Sequence, residues 1–346
     1  MRLQHFSPPI QNELVQALQG IGIRTDTDLL LSEDPTRIFT RLQQDLGISL
    51  LDFRRAVAKV AELASATHTY GDRLLEQELK RQEDDVFADD MRVGVPTLDA
   101  LLGGFSPPRV IEVSGDKGSG KTALALQLAL RHLAQVNDSS VLWIDSNGEF
   151  SPERVSTMLE KMDGEVSLTI LERLQVSLAF DIEAVHEVLE TLRQTLSSRS
   201  SYSELPTTRC IVIDSITPLL GSMLSATSSQ GHAIMTTFMR QLRAFADSFL
   251  LTILVINSST KILPSNPETV FETARKPALG PSFTFMADAT LWLSQRPPEE
   301  PQADDDSTMH VAEVLRSRIS VRPVIRFGGT VLKDPRSARR RGRSSR

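Results

Sequence analysis

The sequence predicts an α/β fold, a largely parallel central sheet with helices on both faces, preceded by a small all-α N-terminal domain. Three observations predict it. From Val93 onward, apolar strand-like runs alternate with amphipathic helical stretches. Residues 115–122 read GDKGSGKT, a complete GxxxxGKT phosphate-binding pattern set between such a run and a helical stretch. Residues 1–65 carry their apolar side chains at helical spacing.

Within 1–65, Leu14, Val15 and Leu18 recur on one face, Ile38, Phe39 and Leu42 form a second patch, and Leu51, Phe53, Val57, Val60 and Leu63 line a third. Glycines fall between these helices, in residues 20–23 (GIGI) and 46–48 (LGI). The pattern resembles a helix-hairpin-helix, whose backbone amides can meet a phosphate. The same glycines can simply end helices, and for so small a domain packing or partner binding is the favoured reading. Residues 66–92 turn strongly charged, with Glu76, Glu78, Lys80, Arg81, Glu83, Asp84, Asp85, Asp89 and Asp90, and read as a linker.

The core is expected over 93–335, with strands at Val110–Val113, Val141–Ile144, Leu174–Val176, Ile211–Ile213, Thr252–Ile256 and Ala289–Leu293. Ligands in parallel sheets sit beyond the carboxyl ends of the strands. Two stretches, 218–232 and 258–284, are long and rich in turn residues after strand ends, as functional or mobile loops are. Residues 295–307 hold prolines and five acids and read as a solvated hairpin insertion.

The nucleotide chemistry is local and specific. Gly115, Gly118 and Gly120 allow a tight turn in which the backbone N–H groups of 115–122, with Asp116, Lys117 and Ser119 between the glycines, point at phosphate oxygens. Lys121 would reach the β and γ phosphates, and the Thr122 hydroxyl would bind Mg²⁺. Some ninety residues later, residues 210–214 (CIVID) read as a strand buried on both faces, ending in Asp214, which completes the magnesium site. The expected cofactors are ATP and Mg²⁺.

Composition sets limits. Net charge is −6, yet residues 336–346 hold six arginines and no acid, so the rest of the chain carries −12. The basic, disordered tail reads either as a nuclear import signal or phosphate contact, or as a solvated end. An acidic body argues against broad wrapping of duplex DNA. The single cysteine, Cys210, excludes a disulfide framework within the chain. With no apolar segment near bilayer length and no secretory pattern at its start, the protein is expected to be soluble and intracellular, without membrane partners.

The order of these pieces, with residues 93–104 (VGVPTLDALLGG) before the phosphate loop and 143–150 (WIDSNGEF) after it, resembles the RecA family of recombinases in its eukaryotic and archaeal branch. Residues 144–148 (IDSNG), 179–182 (AFDI) and 276–280 (KPALG) are similar to the D-type paralogues of the eukaryotic strand-exchange recombinase. The resemblance implies a RecA-like P-loop ATPase core, a role in homologous-recombination repair, and work in the nucleus. It implies partners of the same kind: a C-type paralogue at the N-terminal domain, a smaller paralogue at the ATPase core, and single-stranded or branched DNA. Catalytic roles would fall to Lys121, Asp214 and whichever group orients the attacking water.

Several positions depart from the active members. Where these place the water-orienting glutamate, this chain has Asn147, and an amide cannot accept a proton as a carboxylate does. Glu149 stands two residues on, a spacing that ordinarily points a side chain elsewhere. Very slow turnover is expected, since losing a general base removes about 10²–10⁴ in rate. The first family loop, 218–232, holds no Lys or Arg, while the second keeps Lys261, Arg275 and Lys276, with Phe271 available to stack on a base, so weak single-strand binding is expected. Asn257 stands near the end of the strand that reports the γ-phosphate, where Gln is usual. With only Phe87-Ala88 resembling a polymerisation peg, a homo-filament is not expected. Two rivals stay open: an active DNA-dependent ATPase or strand-exchange motor using Glu149, and an adaptor whose nucleotide site is vestigial.

Overall fold

The computed structural model describes residues 3–6, 10–42, 47–65, 70–84, 91–102, 104–161, 168–198, 206–224, 229–261, 275–295, 310–318 and 327–329. Its N-terminal helices are α1 (Asn12–Gly20), α2 (Asp26–Leu31), α3 (Pro35–Arg41), α4 (Leu50–Ala64) and α5 (Gly71–Asp84). Side-chain caps start three of these helices. Thr25 and Asp28 form a reciprocal capping box on α2, Asp34 caps α3 with Pro35 in its first turn, and the Ser49 hydroxyl accepts from the Asp52 N–H on α4. Leu14, Val15, Leu18, Ile23, Leu29, Ile38, Phe53, Val57 and Val60 then close one apolar cluster.

The turn after α1 bears on its function. Gly22 sits at φ +88°, its N–H donates to Gln19 O, and the Ile23 N–H donates to Leu18 O. Those amides are therefore engaged in closing the helix and are not presented to a phosphate. Leu46 lies outside the described residues. The charged stretch after residue 66 contains α5, a helix built of strong helix formers, with Leu74, Leu75 and Leu79 exposed.

Beyond it come α6 (Pro96–Leu102), β1 (Arg109–Gly115), α7 (Lys121–Gln135), β2 (Ser139–Asp145), α8 (Pro152–Lys161), α9 (Leu168–Glu172), β3 (Leu174–Leu178), α10 (Ile182–Ser197), β4 (Thr207–Asp214), α11 (Ile216–Leu220) and α12 (Ser229–Phe249). They are followed by β5 (Thr252–Asn257), β6 (Ser259–Lys261), β7 (Arg275–Pro277), α13 (Gly280–Met286), β8 (Ala289–Gln295), β9 (His310–Ser317) and β10 (Phe327–Gly329). The sheet runs β10-β9-β8-β1-β5-β4-β2-β3; every pair from β8 to β3 is parallel, and β9 and β10 add antiparallel pairs at one edge. Gln295 of β8 pairs with His310 of β9, and the acidic stretch expected as a hairpin insertion lies, beyond Gln295, outside the described residues.

Alternate residues of the central strands, among them Ile111, Val113, Trp143, Val212, Leu254 and Leu291, join α7's Leu124 and Leu128 in one buried cluster. Their neighbours Val110, Leu142, Ile211, Ile253 and Val255 are buried as well, so the strands are apolar on both faces, as a covered parallel sheet requires. Cys210 is fully buried there and burial pushes its thiol up to about 12, which leaves it chemically inert. Contacts divide the chain into two compact units, residues 1–88 with 182–195 and 223–238, and residues 89–181 with 196–222 and 239–346. No helix among the described residues is long and apolar enough to cross a membrane.

Candidate functional site

A cavity of about 730 Å³, within the usual range for small-molecule sites, opens at the carboxyl ends of β1, β4 and β5. The loop after β1 forms its floor. Gly115 has φ +152°, and a Cβ there would stand 2.1 Å from the carbonyl oxygen of Leu293, so the strand can pass β8 only as glycine. Gly118 and Gly120 adopt left-handed φ of +82° and +94°, and Gly120 leads directly into α7. The four unpaired N–H groups at the start of that helix and its positive end thus face the cavity.

Lys121 Nζ donates to Gly115 O at 2.8 Å and to Asp116 O at 2.7 Å. Burial depresses the lysine's pKa, opposed by the nearby Asp214 and Asp116 carboxylates. The Thr122 hydroxyl donates to Asp214 Oδ2 at 2.8 Å. Asp214, at the end of β4, lies in register with Asp145 of β2 and Ile256 of β5. Its carboxyl is pushed up to about 6, first by burial and further by Asp145 and Glu149, with Thr122 and Lys121 pulling the other way.

This donor set suits a hydrated magnesium nucleotide. Acid density around Asp214 exceeds the cation supply at that point, and the buried Ser119 Oγ has no hydrogen-bond partner among the described residues. No cluster of three or more His, Cys, Asp or Glu forms a metal cage among the described residues. A cation would accordingly be held by Thr122 and Asp214 with phosphate and water completing its shell, which is how Mg²⁺ usually binds.

The turn after β2 is organised by Asp145, whose carboxylate accepts from the N–H groups of Asn147, Gly148 and Phe150 at 2.9, 2.9 and 2.8 Å. That tight wrap turns both Asn147 and Glu149 into the cavity wall. The spacing rule had placed Glu149 elsewhere; with three amides tied to one carboxylate, the chain reverses within the turn and residues two apart share a side. Asn147 Nδ2 stands 3.4 Å from Ser215 Oγ.

Asn257 ends β5, as expected. It is fully buried, its amide N–H donating to Glu112 Oε1 at 2.7 Å and its Oδ1 accepting from Thr217 Oγ1 at 3.0 Å. Ser258 and Ser259 line the cavity instead. Strand alternation turns Asn257 away from its neighbours Ile256 and Ser258, which both line the cavity, and Ser259 joins them from the start of β6.

The four expected DNA contacts separate. Lys261 and Lys276 are exposed on the β6–β7 hairpin, where Lys261 pairs with Arg275 and Thr260 with Lys276. Arg275 lines the cavity, its Nη1 2.7 Å from Asp116 Oδ1. Phe271 lies outside the described residues. Arg154, Thr157 and Met158 of α8, Thr217, and His310 of β9 also line the cavity, although no sequence signal marked them. They come from elements far apart in the chain, and only the strand order brings them together.

Comparison with known proteins adds the relationships. Residues 88–299 match the family model described as Rad51. The chain is 31% identical over 292 residues to the "DNA repair protein RAD51 homolog 4" of Bos taurus, covering 83% of this chain and 82% of that one. It is 30% identical over 216 residues to the "DNA repair and recombination protein RadA" of Methanoculleus marisnigri, covering 59% and 64% respectively. Among solved structures, the "Crystal structure of the RadB recombinase" aligns with a TM-score of 0.50 and 27% identity over 68% of this chain and 92% of that one.

Proposed function

Because the chain belongs to the Rad51 family, whose recombinases bind ATP, we propose that it is an ATP-binding recombinase paralogue of homologous-recombination DNA repair, acting within a heteromeric complex. Its task is to promote assembly of the main recombinase on single-stranded DNA, and nucleotide occupancy, more than turnover, is its signal. One observation carries this reading: an intact phosphate loop and Asp214 share a cavity with Asn147, the residue that the family resemblance sets in the position of the water-orienting carboxylate.

Each residue has a task in this reading. The loop N–H groups and Lys121 hold the phosphates, Lys121 exchanging its contacts with the Gly115 and Asp116 carbonyls for phosphate oxygens. Thr122 and Asp214 would hold Mg²⁺, which when bound would offset the charge of the phosphates. Asn147 can orient a water as a hydrogen-bond partner but cannot take its proton, which slows hydrolysis. The partners are a C-type paralogue at the N-terminal helices, a smaller paralogue at the ATPase core, and single-stranded or branched DNA held weakly by the exposed Lys261 and Lys276, with the nucleus as the place of work.

Lys121→Ala tests the reading. Nucleotide affinity is expected to fall at least tenfold, and association with the other paralogues, measured by co-purification in Mg·ATP, to fall with it. An unchanged complex would overturn it. A second reading, an active DNA-dependent ATPase with Glu149 as base, draws support from Glu149 lining the same cavity as Asn147.

A further inference from the structure

The hairpin β6–β7 is tied to the phosphate loop by one small cluster. Asp116 Oδ1 receives Arg275 Nη1 at 2.7 Å and also the Ser259 hydroxyl, and these two donors stand on the two strands of the hairpin. Asp116 is the second residue of the loop, and its own carbonyl accepts from Lys121 Nζ at 2.7 Å. Lysine at this position meets the β and γ phosphates. The Asp116–Arg275 pair therefore lies at the terminal-phosphate end of the cavity, which both Arg275 and Ser259 line.

We infer that Arg275 is a sensor of the terminal phosphate within its own chain: Asp116 holds its guanidinium when the loop is free, and a nucleoside triphosphate draws it away. The inference rests on the nucleotide reading above and adds to it the residue that tells triphosphate from diphosphate. Three physical points support the exchange. The pair is partly exposed to solvent, a weak setting for an ion pair. Guanidinium forks bind phosphate through two parallel bonds, and phosphate carries more charge than carboxylate. Asp116 itself becomes a like charge beside the phosphates, so occupancy favours separating Arg275 from it and moving the hairpin strand that carries it.

The experiment measures binding of fluorescent N-methylanthraniloyl ATP and ADP in Mg²⁺ by the full chain. Arg275→Ala is expected to weaken ATP binding about tenfold, the loss of one charge-assisted hydrogen bond, and ADP binding less than about twofold. Arg275→Lys keeps the charge without the fork and should fall between. Asp116→Asn removes the competing carboxylate and should strengthen ATP binding, a gain that disappears when Arg275→Ala is added. Equal effects of Arg275→Ala on both nucleotides, no effect on either, or weaker ATP binding by Asp116→Asn would overturn the inference. If Lys121→Ala abolishes binding of both nucleotides while Arg275→Ala alters neither, the nucleotide reading stands and the sensor alone is lost. If the unaltered chain binds neither nucleotide, both fall.

Discussion

Asp214→Asn should stabilise the metal-free protein at neutral and alkaline pH, even though it removes a magnesium ligand. The Asp214 carboxyl is raised from its ordinary 3.8 to about 6, chiefly by burial and then by the facing acids Asp145 and Glu149, with Lys121 and the Thr122 hydroxyl only partly offsetting them. A carboxyl raised on folding binds its proton more tightly in the native state, so its contribution is fully present below 3.8 and is lost as pH rises through about 6. The displacement corresponds to about 3 kcal/mol of destabilisation once the group is ionised. Asn keeps an acceptor for the Thr122 hydroxyl without the buried charge. Urea unfolding in EDTA, followed by Trp143 and Trp292, the chain's two tryptophans, should show the variant more stable by up to about 3 kcal/mol at pH 8 and by roughly half that at pH 5. Added Mg·ATP should then raise the midpoint of the unaltered protein and not that of the variant. A variant less stable at pH 8, or a gap that does not narrow at pH 5, would refute the reasoning.

Two further outcomes follow from the same geometry. Glu112, fully buried in β1, accepts from Asn257 Nδ2 at 2.7 Å, Ser114 Oγ at 2.7 Å and Thr290 Oγ1 at 2.9 Å, so Glu112→Ala leaves three donors unpaired inside the sheet and should cost about 3–5 kcal/mol in urea unfolding, whereas Glu112→Gln should cost about 1. Asn147→Glu places a carboxylate in the cavity wall and should raise phosphate release about a hundredfold, while Glu149→Gln in the native background should change it less than twofold; a large loss from Glu149→Gln would instead favour the motor reading.

The core was legible because its signals are redundant. A strand such as 210–214 is apolar throughout, ends in an acid and follows helical periodicity, so its position in the sheet and its Asp214 could be read together. The phosphate loop was legible for a different reason: three glycines are forced by backbone conformation, and Gly115 has no room for a Cβ at all. Helix α5 was harder to see as structure. Its charged composition gives no core to close, and its exposed leucines differ little in pattern from those of a linker.

What stayed hidden in the site are the relations between distant side chains, and Arg275 makes the reason plain. Read along the chain, it is one cation of three in a turn-rich segment, equivalent to Lys261 and Lys276. In the fold, the antiparallel register sets Arg275 opposite Lys261 and Lys276 opposite Thr260, so Arg275 shares a face of the two strands with Lys261 while Lys276 takes the other. β1 and β5 are neighbours in the sheet, which brings the hairpin that follows β5 beside the loop that follows β1. Only then does Asp116 become available to Arg275. The strand order thus sets Arg275 beside the phosphate loop and leaves Lys261 and Lys276 exposed, which is why the proposal above gives Arg275 to the nucleotide and the two lysines to DNA.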